Sequence, residues 1–141
     1  MGNFYQYSKG VGNVGSYQIS GIPYATASFT VSARGSAPTE IQFPFVTKFV
    51  TISNTNTGAN VPLRFGFSAL GVTGSLGGGL GDYYFVLDNG DSYTGEFRIT
   101  SLFLLSDDAD NAEASASIVA GLTGIETREL PTNWTGSEGV G

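Results

Sequence analysis

The chain has 141 residues, of which 21 are Gly, 13% are charged and none is His or Cys. Without His and Cys it lacks the usual nucleophile triads, thiol redox pairs and zinc ligands, so we predict no enzyme, no metal and no cofactor. The net charge of −6 lies in residues 107–141, since residues 1–106 sum to zero. No cluster of Lys and Arg is present to bind phosphates, so we expect no direct nucleic-acid binding.

The first 15 residues are rich in Gly and aromatic side chains, and they contain Phe4, Tyr5 and Tyr7. We predict a flexible N-terminal arm, because such a segment is too rich in Gly to fold alone. It does not have the basic and apolar regions of a signal peptide, and no apolar run in the chain approaches ~18 residues. The sequence therefore predicts a soluble protein without a membrane span.

Residues 16–121 follow as one domain of short strands, the first of them at 16–22. Residues 25–33 alternate small or apolar side chains with Ser and Thr, which indicates a half-buried strand. Residues 40–53 are a further extended run whose apolar phase changes just after Pro44. Because proline interrupts a strand ladder, we expect a bend or bulge at that position.

The middle of the chain predicts a strand, a loop and a hairpin. Residues 61–70 alternate as a strand, whereas residues 71–81 contain six Gly and predict a long mobile loop. Strands at 83–87 and 92–97 flank Asn89-Gly90, which is the signal of a two-residue hairpin turn of type I′.

The last part of the domain contains two more strands, at 99–106 and 112–121. The acidic loop between them, with Asp107, Asp108 and Asp110, could offer carboxylates to a calcium ion. It lacks the spacing of an EF-hand, and we interpret it as a solvated loop. Residues 122–141 then form a C-terminal tail that carries Trp134 as its lone tryptophan.

Eight short strands in about 110 residues favour an all-β protein, a single antiparallel β-sandwich. A jelly roll and an immunoglobulin-like arrangement both satisfy this pattern. No helix longer than two turns is expected.

Three runs of the sequence are GSYQISGIPYATAS (15–28), IQFPFVTKFVTI (41–52) and VAGLTGI (119–125). With the closing Gly- and Ser-rich stretch, they resemble the single jelly-roll penton and minor capsid proteins of large icosahedral double-stranded DNA viruses, including those of algae. The resemblance implies an eight-stranded jelly roll in the virion, made in the host cell cytoplasm. It also implies assembly as a homopentamer at the five-fold vertices, or another minor position, with the major capsid protein and other minor capsid proteins as partners.

A structural protein of this kind acts through its surfaces, and we select Phe4, Tyr5, Tyr7 and Trp134 as candidate interface residues because aromatic anchors dominate interfaces. The alternative is a carbohydrate- or receptor-binding β-sandwich module. That function needs exposed aromatic side chains beside polar groups, for which Tyr83, Tyr84 and Tyr93 are the candidates.

Overall fold

The computed structural model describes residues 21–74 and 83–130, and these form a β-sandwich with one short α-helix and one short 3₁₀ helix. The predicted N-terminal arm and residues 16–20 of the first predicted strand lie outside the described residues. The eight described strands are β1 (Ile22–Val31), β2 (Thr39–Gln42), β3 (Phe45–Asn54), β4 (Leu63–Gly66), β5 (Phe85–Leu87), β6 (Ser92–Gly95), β7 (Ser101–Ser106) and β8 (Ala114–Glu126). Helix α1 (Ala69–Thr73) follows β4, and the 3₁₀ helix (Thr127–Glu129) follows β8.

The strands form two antiparallel sheets of four strands each, in the orders β1-β8-β3-β6 and β2-β7-β4-β5. We call them the first and second sheet. Their inner faces pack a common core, in which Ile52 and Ile118 from the first sheet meet Leu63, Leu102 and Leu104 from the second, all fully buried. The prediction of an all-β antiparallel sandwich is confirmed.

The interruption at Pro44 separates two strands that belong to different sheets. β2 ends at Gln42 and pairs with β7, whereas β3 begins at Phe45 and pairs with β8 and β6. The change of apolar phase in the sequence has the same cause. The core lies between the two sheets, so the positions that face it shift when the chain crosses from one sheet to the other. The expected bend at Pro44 is thus a crossing from one sheet to the other.

The predicted hairpin of residues 83–87 with 92–97 is wrong. β5 pairs with β4 in the second sheet, and β6 pairs with β3 in the first. A tight turn does lie between them, closed by a hydrogen bond from the Asp91 N–H to the Asp88 carbonyl at 2.9 Å. Gly90 has a φ of 82° while Asn89 is not among the described residues with positive φ, so the turn is not of type I′ and does not direct the strands to pair.

The strand predicted to run to Leu70 ends at Gly66, and part of the predicted loop 71–81 is helical. Ser68 caps helix α1, since its Oγ accepts a hydrogen bond from the Gly71 N–H at 3.0 Å. Gly74 ends the helix in the left-handed conformation, with a φ of 72°. The helix buries Val72, and residues 75–82 lie outside the described residues.

The last strand is longer than predicted, because β8 continues to Glu126 and so includes residues 122–126, which we assigned to the tail. Leu122 and Ile125 are buried, and the Thr123 hydroxyl donates to the Val46 carbonyl at 2.7 Å. The strand therefore stays buried past Gly121, but alternation stops there, since residues 120–123 are all buried.

The corner between β6 and β7 is held by one buried threonine of β3. The Thr47 hydroxyl donates to the Phe97 carbonyl and accepts from the Ile99 N–H, and the Thr47 N–H donates to the Ile99 carbonyl at 3.0 Å. Thr47 thereby satisfies backbone groups that no neighbouring strand reaches. Within the described ranges, no helix has the length and apolar character required to cross a membrane.

Candidate functional site

The most distinctive surface is a row of aromatic rings on one open side of the sandwich. β5 and β6 are terminal strands of their sheets, and contacts between their rings show that they lie on the same side. Phe85 of β5 is 6.1 Å from Tyr93 of β6, and Tyr93 stacks on Phe97 at 6.3 Å between ring centroids. Phe65 lies beneath, 5.4 Å from Tyr93, and Phe67 continues the row at 4.9 Å from Phe97. We call these five residues the aromatic seam.

The seam is only partly covered by the protein itself. Phe65 is 4% exposed, but Phe85 is 63% exposed and Tyr93 is 36% exposed. Gly95 leaves room for the rings, because a Cβ at that position would lie 2.9 Å from Tyr93 Cε1 and closer still to Phe97. An exposed row of large rings of this kind is typical of a contact surface rather than of a solvated edge.

A second surface is the outer face of the first sheet, which carries no charged residue at its central positions. Its rows follow the strand register: Ala25, Val119, Thr51 and Thr94 lie side by side across the four strands. Val119 is 49% exposed, whereas its neighbours Ile118 and Ala120 are buried, as expected when side chains alternate between the faces of a sheet. We call the following residues the charge-free face: Pro23, Ala25, Thr30, Phe49, Thr51, Ser53, Ser92, Thr94, Ser115, Ser117 and Val119.

Four hydroxyl groups of the charge-free face, those of Thr51, Thr94, Ser115 and Ser117, have hydrogen-bond partners within the protein. The hydroxyls of Thr51 and Thr94 lie 2.8 Å apart, and those of Thr55 and Ser115 lie 3.0 Å apart. Ser117 Oγ accepts the N–H of Ser28 at 3.0 Å. Covering these groups costs less than covering hydroxyls whose only partner is water.

The outer face of the second sheet has a different character, because a buried arginine organises it. Arg64 of β4 is only 3% exposed, and its Nε donates to Asp107 Oδ1 at 2.6 Å. Its Nη1 donates to the carbonyls of Val72 and Thr73, at 3.2 and 3.3 Å, where helix α1 ends. The guanidinium also lies 4.2 Å from the ring centroid of Tyr84. Arg64 therefore ties β4, helix α1, the start of β5 and the loop after β7 together.

An open groove of about 590 Å³ lies where β2 and β7 meet the 3₁₀ helix. Its lining includes Glu40, Phe43, Thr100 and Arg128. One carboxylate beside one guanidinium does not form the pair of carboxylates that glycoside hydrolysis requires. We assign no chemistry to this groove.

The acidic loop after β7 uses its own carboxylates to hold its backbone. Asp108 Oδ2 accepts the N–H groups of Asp110 and Ala112 at 3.1 and 3.0 Å, and Asp107 is paired with Arg64. Across residues 21–74 and 83–130, no group of three acidic side chains is arranged to hold a metal ion.

Removing calcium should therefore leave the melting temperature of the protein unchanged. Asp107 is paired with Arg64, and Asp108 accepts two backbone N–H groups of the loop, so these carboxylates are already engaged and we expect no bound ion for a chelator to remove. Thermal unfolding with and without EDTA measures this. A melting temperature lowered by several degrees in EDTA would contradict the prediction, because an ion bound only by the folded state stabilises it.

The candidate interface and ligand-binding residues selected from the sequence are only partly placed by the structure. Phe4, Tyr5, Tyr7 and Trp134 lie outside the described residues, so their assignment as interface residues stays a prediction. Of the tyrosines in the alternative, Tyr84 packs on Arg64 and Tyr93 lies in the aromatic seam.

Sequence reasoning missed Phe65, Phe85 and Phe97 as partners of Tyr93, because they come from three separate segments. These rings come together only through strand pairing, in which Phe65 lies opposite Phe85 and Ile52 lies opposite Tyr93.

Comparison with known proteins gave no match to a family model, to a curated protein or to a solved structure.

Proposed function

We propose that the protein is a structural capsid protein of a large icosahedral DNA virus, the penton at the five-fold vertices or else another minor capsid component. It would act in the virion by assembling with itself and by docking to the major capsid protein and other minor capsid proteins. The resemblance of the three sequence runs motivates this proposal.

The observation that carries the proposal is the pairing of the strands. The first strand pairs with the last, β2 with β7, β3 with β6 and β4 with β5. A long antiparallel ribbon rolled into two sheets produces this nested order, which supports a jelly roll as the finer description of the sandwich. Jelly rolls occur in viral capsid proteins, but also in lectin domains and cupins, so the fold alone does not select the function.

The surfaces supply the second argument. A capsid subunit is covered by neighbours on several sides, and so it needs faces that lose water at little cost. The charge-free face and the aromatic seam meet this requirement, because neither has a charged group to desolvate at its centre. Charged pairs such as Lys48 with Glu96, at 3.3 Å, lie on the exposed surface of the fold.

The mass of the purified protein in solution tests the proposal. A penton should form a species of about five times the 14.7 kDa of the chain, since closed rings are the usual result of repeated head-to-tail contacts. Sedimentation equilibrium from low to high micromolar concentration measures this. A protein that stays monomeric over the whole range would contradict self-assembly into a penton.

A carbohydrate- or receptor-binding module remains the alternative, and the aromatic seam favours it, because exposed rings such as Phe85 and Tyr93 can stack on sugar rings. A glycan array separates the two functions. Binding to a defined glycan that is lost in Phe85→Ala and kept in Val86→Ala would support the alternative. Val86 is a suitable control because it lies next to Phe85 on β5 and is itself 39% exposed.

A further inference from the structure

We propose that the charge-free face of one copy packs on the aromatic seam of the next copy, and that repetition of this contact closes a ring. This inference rests on the proposed function, since it specifies how the copies of a penton would meet. The two surfaces are different parts of the same chain, so the contact is head-to-tail.

The chemistry of the two surfaces is complementary. Phe85 and Tyr93 expose ring surface that is best covered by a partner without charges, because a buried unpaired charge opposes association. Val119 is 49% exposed at the centre of the charge-free face and offers that kind of contact. The hydroxyls around it, such as the Thr51 and Thr94 pair at 2.8 Å, already have partners and lose little when water leaves.

The charge of the chain favours the same pair of surfaces. Each copy carries a net charge of −6, so copies repel one another, and the repulsion is weakest when contact keeps their charges far apart. The described acidic residues lie in loops, at strand ends and on the second sheet, and Asp88, Asp107 and Glu113 are examples. The charge-free face has none of them among its members, and at its border Lys48, next to Phe49, is paired with Glu96 at 3.3 Å.

The relative orientation of the two surfaces allows repeated contacts between copies to close into a ring. The charge-free face lies on the outside of the first sheet, whereas the seam lies on the side where β5 and β6 end the two sheets. The two surfaces therefore face in roughly perpendicular directions, so a repeated head-to-tail contact between them turns the chain and closes a small ring. A right-angle turn at each contact gives about four copies, and a somewhat smaller turn gives the five of a penton.

The area of the charge-free face limits the strength of one contact between two copies, which we call a junction. Four strands at about 4.8 Å spacing and about seven residues at about 3.4 Å each give roughly 450 Å² in projection. A stable interface buries about 800 Å² per partner, so a single junction is weak. In a closed ring each copy makes two junctions, and the ring is more stable than the isolated pair.

Two variants test the contact, one on each surface. Val119→Glu places a charge on the charge-free face, and Phe85→Glu places one in the seam. The matched control is Val86→Glu, which adds the same charge to an exposed position of β5 beside the seam. Circular dichroism verifies that each variant is folded, and Ala25→Glu, on the strand next to Val119, replaces Val119→Glu if that variant does not fold.

We expect the unmodified protein and Val86→Glu to sediment as a ring, and Val119→Glu and Phe85→Glu each to sediment as a monomer. An equimolar mixture of the two monomeric variants keeps one intact junction, between the seam of the first and the face of the second. Because a single junction is weak, we expect a higher mean mass than for either variant alone only at the highest protein concentration. This restoration is specific to a head-to-tail contact.

Two results would overturn the inference while leaving self-assembly in place. One is a ring that persists in either variant, and the other is a mixture whose mean mass at the highest concentration equals that of the separate variants. An unmodified protein that is monomeric at every concentration would overturn both the inference and the proposed penton function.

Discussion

Replacing Arg64 by Met should lower the free energy of unfolding by about 3 kcal/mol, the lower end of the range for breaking a buried ion pair. The variant leaves Asp107 without its cation and the carbonyls of Val72 and Thr73 without their donor. Asp107 is partly exposed, with a side chain 26% accessible, so water compensates for part of the loss and the upper end of the range is not expected. Urea denaturation followed by circular dichroism measures the change.

Arg64→Lys and Asp107→Asn are the matched controls for this prediction. Lysine keeps the charge but cannot reach Asp107 and the end of helix α1 together, because it lacks the planar fork of arginine. We expect Arg64→Lys to lose about half as much stability as Arg64→Met. Asp107→Asn keeps an acceptor oxygen for Arg64 but leaves the buried guanidinium without its counter-charge, so we expect a loss of about 2 kcal/mol. Equal stability of Arg64→Met and the unmodified protein would show that Arg64 does not hold helix α1 on the sheet.

Replacing Asn54 by Ala should also destabilise the protein by about 3 kcal/mol, because it leaves several buried polar groups without partners. Asn54 is 2% exposed, and its amide nitrogen donates to the carbonyls of Val61 and Leu87, both at 2.9 Å. Its side-chain oxygen accepts the N–H of Asn56 at 3.0 Å. The side chain thus joins the end of β3 to the following loop and to the end of β5.

Asn60→Ala is the control for Asn54→Ala, since Asn60 contacts the same end of the sandwich from an exposed position, with its amide 3.2 Å from Asp88 Oδ1. A surface hydrogen bond contributes little, so we expect a loss of no more than about 0.5 kcal/mol. The same urea titration applies to both. Similar small losses in the two variants would mean that water replaces the contacts of Asn54.

The parts of the candidate site differ in how far the sequence predicts them. On β8 the charge-free face follows from the alternation of Ser115, Ser117 and Val119 with buried residues, because every second residue of a strand faces the same side. On β1 it does not follow, because a register shift between Thr26 and Phe29 places Ala25 and Thr30 on the same face although their phases in the sequence are opposite. The aromatic seam does not follow, since the strands that carry Phe85 and Tyr93 were predicted to pair with each other in one hairpin. The two rings instead meet between the sheets, because β5 pairs with β4 in one sheet and β6 pairs with β3 in the other.

The sequence by itself determined the positions of most strands, the interruption at Pro44, the turn at Asp88–Asp91 and the uneven distribution of charge. Alternation of apolar and polar residues and the preference for turn residues depend only on residues close together in the sequence. They can therefore be recognised without knowing the tertiary structure. Only the tertiary structure decided that Arg64 is buried, that residues 69–73 leave the strand pattern for a helix and that β8 continues to Glu126. Each of these depends on contacts with residues distant in sequence: Asp107 for Arg64, β4 and β7 for helix α1, and Val46 for Thr123.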